Sequence, residues 1–213
     1  MRFGPDACVS CPHCGEKARY QTLLCGNTFG ATLWTDGKRL TPIFVEPPQF
    51  VRCSACAACY WFEDAAHLDD ESFDEEAAER EGMPWLQEAD EADMYRAPAA
   101  GGTAVGPHER RFRVLAWWSS HDPLRTEHPE PPAVDPALAQ ARGLKLQGLL
   151  RVLDPTEIND RIMRAEVHRE LGDFDAARRQ LDTLREPDLA GVIAQFHAVC
   201  EAGDTQLRQV RFG

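Results

Sequence analysis

Two short cysteine clips constrain this chain more than any other feature: Cys11-Pro12-His13-Cys14-Gly15 near the start and Cys53-Ser54-Ala55-Cys56 further on. Each clip sets two sulfurs on a tight turn. Two clips together supply four thiolates, the ligand set of a closed, tetrahedral structural zinc site with Zn–S bonds of about 2.3 Å. Both clips extend into triplets, Cys8/Cys11/Cys14 and Cys53/Cys56/Cys59, so the register has to be argued. Pro12 fixes a turn and Gly15 can take the left-handed conformation that points backbone N–H groups at the sulfurs, which selects Cys11 and Cys14. In the second triplet Ala57 stands where such a clip usually has glycine. Pairing Cys56 with Cys59 would leave no residues for the turn before a strand at Tyr60 to Phe62, so Cys53 and Cys56 are preferred. The expected ligands of one structural Zn2+ are therefore Cys11, Cys14, Cys53 and Cys56. Cys8, Cys25, Cys59 and Cys200 remain as small buried hydrophobes or spare thiols, and His13 is expected to face solvent. An iron–sulfur cluster built on the triplets and a set of redox-active or unligated thiols are the alternatives to zinc. Four thiolates close the coordination sphere, unlike a catalytic zinc, which keeps an open position.

The apolar fraction of 43% over 213 residues is enough for a core without disulfides. No apolar run approaches the roughly 18 residues a membrane helix needs, and Met1 to Asp6 lacks the apolar region of a secretory signal. The expectation is a cytoplasmic protein whose grouped cysteines serve a metal rather than disulfides. Charge is placed unevenly. Residues 64–111 carry 14 acidic and 4 basic side chains, against 5 and 6 in residues 1–63 and 16 and 13 in residues 112–213. The middle segment would repel a phosphate backbone, and no basic stripe lies elsewhere, so nucleic acid is a disfavoured partner.

Residues 1–63 read as a small antiparallel β domain. Thr28 to Thr35 and Lys38 to Val45 form strand signals around an Asp36-Gly37 turn, with Pro42 interrupting the second. Gln49 to Arg52 leads into the second clip and Tyr60 to Phe62 leads out. With a clip at the end of each of two hairpins, this part of the chain resembles the zinc-ribbon and rubredoxin-like families, a resemblance that implies a metal-held β fold and no particular activity. Residues 64–106 read as an acidic segment, with a helix around Phe73 to Arg80 and another from Pro84-Trp85-Leu86 to about Tyr95, closed by an Ala/Gly/Pro linker at Ala97 to Pro107.

Residues 107–213 read as helical, which makes the chain α+β overall. Phe112, Leu115, Ala116 and one of Trp117 and Trp118 recur at helical spacing before Asp122-Pro123 stops the helix. A Pro-rich loop, His128 to Pro136, precedes an amphipathic helix over Ala137 to Leu153. The segment Arg164 to Ala177, with Ala165, Gly172-Asp173-Phe174 and Ala177, resembles one tetratricopeptide repeat, a family in which small residues let two helices pack closely. Ala198, Gly203-Asp204 and Leu207 give a weaker echo that lacks the aromatic. The resemblance implies a short helical array with the neighbouring helices as caps.

Nothing in the sequence forms a recognisable catalytic motif. The histidines are scattered, no nucleophile elbow occurs, and Gly101-Gly102 lies in a linker rather than between a strand and a helix. The acidic run reads as a solvated face. The expectation is a non-enzymatic interaction or adaptor protein that binds another protein with a basic face, through the inner side of the helical array or through the acidic segment. Two rivals stand beside it: a nucleic-acid-associated ribbon using Lys38-Arg39, and a thiol-dependent redox protein using Cys8, Cys25 or Cys59.

Overall fold

A computed structural model describes residues 2–44, 47–68, 82–96, 108–125 and 136–211, with only the backbone described at 136–139. The expected helix around Phe73 to Arg80, the linker at Ala97 to Pro107 and most of the Pro-rich loop lie outside the described residues. What is described is mixed α+β, with short antiparallel strands first and six helices after them.

The chain forms two units. The first comprises residues 1–30 and 41–108, the second residues 31–40 and 109–213. Residues 31–40, which in sequence lie between the two clips, thus belong with the helices.

In the first unit β1 (Arg2–Ser10) and β2 (Lys17–Cys25) pair antiparallel, with Ser10 opposite Lys17 next to the turn. Pro5 cannot donate a ladder hydrogen bond, and the pairing slips between Phe3 and Asp6 accordingly. A second hairpin joins β5 (Phe50–Arg52) to β6 (Cys59–Trp61), with Arg52 opposite Cys59. Two further strands lean on these ribbons: β7 (Ala66–His67) on β1 and β8 (Gln87–Glu88) on β5. Val9, Val51, Tyr60 and Ala65 make a small core with Cys11 and Cys53, and Tyr20, Phe62 and Leu86 close over it.

Of the helix expected from Pro84 to Tyr95, only the part from Glu91 onward is helical. Trp85 bridges Arg19, residues 87 and 88 join the sheet, and α1 runs from Glu91 to Arg96. The boundary has a chemical cause. The Asp90 carboxylate accepts the Asp93 amide at 2.8 Å, and the Asp93 carboxylate accepts the Asp90 amide at 3.2 Å, a reciprocal cap that starts the helix after Asp90.

The second unit contains β3 (Thr32–Trp34) and β4 (Arg39–Leu40) around the Asp36-Gly37 turn, with β9 (Gln209–Val210) pairing β3 on its other side. Its helices are α2 (Glu109–His121), α3 (Pro136–Val152), α4 (Ile158–Glu170), α5 (Phe174–Leu181) and α6 (Ala190–Glu201). Among the described residues two apolar cores hold them. Val114, Trp117, Leu149, Leu153, Met163 and Val167 join α2, α3 and α4, while Ala165, Ala177, Leu181, Val192, Phe196 and Cys200 join α4, α5 and α6. Ala165 and Ala177 are fully buried, so the small residues sit where α4 and α5 approach.

The α4–α5 turn explains itself residue by residue. Gly172 takes φ 77°, its amide donates to the Arg169 carbonyl, and the Asp173 amide donates five residues back to His168. Asp173 then caps α5 by accepting from the Ala176 amide at 3.0 Å. Gly203-Asp204 repeats the same turn, with φ 63° at Gly203 and bonds to Cys200 and Val199. The echo stops there. Among the described residues no helix follows Asp204; its carboxylate holds the Gln206 amide and the Arg208 guanidinium, and the chain continues into β9. No helix among the described residues is long and apolar enough to cross a membrane.

Candidate metal centre

Each clip is the turn of one hairpin, and the two turns have the same backbone. In the first, the Cys11 amide donates to the Glu16 carbonyl at 2.8 Å and the Gly15 amide to the Cys11 carbonyl at 2.9 Å. In the second, the Cys53 amide donates to Ala58 at 2.9 Å and the Ala57 amide to Cys53 at 3.0 Å. The residue after the second cysteine is left-handed in both, Gly15 at φ 75° and Ala57 at φ 57°. Ala57 is the sole non-glycine with positive φ among the described residues. An L-residue in that conformation is strained by about 1–2 kcal/mol, so the clip holds a geometry its own sequence disfavours.

The two turns bring Cys11, Cys14, Cys53 and Cys56 together, with all four sulfurs within 4.8 Å of one another. The Cys11 and Cys56 sulfurs are 3.9 Å apart and those of Cys14 and Cys53 are 3.6 Å apart. A tetrahedron of sulfurs around an ion with 2.3 Å bonds has edges of about 3.8 Å, which these two separations match. Cys11 and Cys53 belong to the core, whereas Cys14 and Cys56 face solvent.

Sulfurs this close oppose one another's charge, so ionising one thiol disfavours ionising its neighbour. Burial pushes the Cys53 thiol up, but amide hydrogens of Cys56 and Ala55 and the neighbouring thiols outweigh it and bring it down to about 7. At Cys14 the Glu16 amide favours the thiolate, yet the neighbouring sulfurs of Cys56, Cys53 and Cys11, together with burial, drive it up to about 12. Burial is also the largest influence on Cys11, which is raised. Tyr60 packs beside the cluster, and burial together with the four sulfurs raises its phenol to about 12. A divalent cation would relieve this repulsion directly.

The other thiols stay outside. Cys8 and Cys200 are buried, Cys59 is half-buried and Cys25 is exposed. Burial raises the thiols of Cys8, Cys59 and Cys200, the opposite of what a nucleophilic thiolate requires. His13 is exposed and lies outside the sulfur cluster, its ring edge-on to Tyr60 at 6.3 Å. Lys38 is engaged by Asp122 at 2.6 Å, within the helical unit.

A group that sequence reasoning missed lies in the second unit, where Asp36, His121, Arg125 and Glu170 converge with little or no exposure. Only Asp36-Gly37 was legible, as a turn. Nothing local marks His121 or Glu170 as its neighbours, because they come from α2 and α4.

Fold and site together define a mixed α+β protein with a four-cysteine cluster suited to a metal ion. Compared with known protein families, with curated proteins and with solved structures, the chain matches none. The assignment rests on its own residues.

Proposed function

We propose that Cys11, Cys14, Cys53 and Cys56 hold one structural zinc ion, that the strands around it are a zinc ribbon, and that the protein is a non-enzymatic interaction or adaptor protein. The observation that carries the reading is the backbone equivalence of the two clips, down to the left-handed Ala57. Matched amide-bearing turns that present two sulfurs each are what a closed tetrahedral thiolate site needs, and such a site stabilises a fold rather than performing a reaction. The paired Gly-Asp turns and the buried Ala165 and Ala177 support a tetratricopeptide-like reading of the helices.

The adaptor role follows from the absence of a recognisable catalytic motif in the sequence and from its acidic middle segment, which suits a partner protein with a basic face. Protein purified without added metal should carry about one zinc per chain. Cys14→Ser or Cys56→Ser should lose it, and Cys8→Ser and Cys59→Ser should keep it. For the adaptor role, wild type captured from its native lysate should bring down a stoichiometric partner that a variant lacking residues 69–93 or altered on the helices does not. Equal recovery by all three would sink it.

A further inference from the structure

The buried charges around Asp36 impose a protonation state. Asp36 is wholly buried at the tip of the β3–β4 hairpin. One of its oxygens lies 3.0 Å from His121 Nδ1, and the carboxylate also takes a fork from Arg125 and the Lys38 amide at 3.0 Å. On the opposite side of the same imidazole, Nε2 lies 3.4 Å from the Glu170 carboxylate of α4. Glu170 in turn accepts the Trp117 indole N–H at 3.2 Å. Both ring nitrogens therefore face carboxylates. A neutral imidazole has a single N–H and would set one lone pair against an anionic oxygen; only the imidazolium donates on both sides.

Charge balance points the same way. Asp36 and Glu170 bring two negative charges and Arg125 one positive. Among the described residues the other charged groups nearby cancel among themselves: Lys38 pairs with Asp122, which Arg125 also reaches, and Glu166 pairs with Arg169 along α4. Among these groups His121 is left to supply the missing charge, and a buried uncompensated carboxylate is costly.

These contacts also secure the hairpin. Among the described residues, the partly buried Leu33 packs against the α4–α6 core. Polar contacts add to this: pairing with β9, the Thr35 amide to the Arg208 carbonyl, and the Trp118 indole N–H to the Asp36 carbonyl at 2.9 Å. We infer that His121 is a charged latch: as an imidazolium bridging Asp36 and Glu170 it docks the 31–40 hairpin on the helices, and losing its proton releases the hairpin while the helices stay folded. Burial works against the charge on His121, but hydrogen bonds to Asp36 and Glu170 win and raise its pKa to about 9. The folded value is above the free one, so the stabilisation is complete below about pH 6.5 and is lost as pH rises through about 9.

Imidazole nitrogen NMR on the full chain, combined with amide exchange corrected for intrinsic rates, tests this. Both His121 nitrogens should carry hydrogen at about pH 7.5. Across the titration near pH 9, protection of the Trp34, Thr35 and Gly37 amides should fall about tenfold or more while α4 and α5 amides hold. Glu170→Gln keeps an acceptor for Trp117 and should move the midpoint down by about one pH unit. A single protonated nitrogen at pH 7.5, a midpoint unmoved in Glu170→Gln, or hairpin and helices losing protection together would each overturn the latch.

Discussion

The two units solve the same problem in different ways. Each must hold short elements together around polar groups, but the first gathers four thiols that repel one another once ionised, and the second gathers carboxylates with their own cations. In the first unit the sulfurs of Cys11, Cys14, Cys53 and Cys56 sit within 4.8 Å of one another, and on the proposed reading a bound cation would balance them. In the second, Asp36 has His121 and Arg125, Glu166 has Arg169, and Asp160 has Arg110. The lesson is that clustered charge can be compensated by a borrowed ion, as proposed for the first unit, or by the sequence itself, and only the former would make folding depend on supply.

Removing the ion should break this contrast most severely. Chelation, or Cys14→Ser, is expected to abolish the ordered β signal of the first unit and leave the helical signal of the second, because for small thiolate sites metal affinity is folding free energy. Circular dichroism resolved at helical and near-ultraviolet bands would show it, and simultaneous loss of both would refute the independence of the two devices.

The second unit should fail at its internal pair instead. Arg169 forks onto Glu166 at 2.7 and 2.6 Å and donates to the carbonyls of Asp204 and Gln206, with both side chains fully buried. Arg169→Met strands a buried carboxylate and two carbonyls, and a loss of about 3–5 kcal/mol in denaturant unfolding is expected, with metal content unchanged. Replacing Ala177 by Leu at the close α4–α5 contact should cost about 1–3 kcal/mol by overpacking. A neutral result there would mean that the helices do not depend on small residues.

The smallest change sharpens the comparison within the first unit. Ala57→Gly removes the strain of a left-handed alanine but loosens the unfolded chain, so a net gain of under about 1 kcal/mol is expected. Gly15→Ala, at the equivalent place, should move stability the other way. Chelator-competition unfolding curves of the two variants would compare them.

How much of this was legible depended on whether the determining contacts were local. The clips could be read because two sulfurs and their turn lie within five residues, and the choice of Cys53 with Cys56 followed from turn length alone. The Gly172-Asp173 turn was equally readable, since its bonds run only to Arg169, His168 and Ala176. The helix expected from Pro84 was overextended because strand pairing with Arg19, Val51 and Arg52 overrides the local pattern at residues 85–88. Placing the Asp36 hairpin with the helices was not readable at all: its partners at 118, 121, 125 and 208 are far away in sequence and of ordinary type.

X-ray absorption at the metal edge of the protein as purified tests the central claim most directly. The account predicts a zinc edge with four sulfur neighbours at about 2.3 Å. A first shell containing nitrogen or oxygen, an iron edge, or no bound metal in a folded first unit would contradict it.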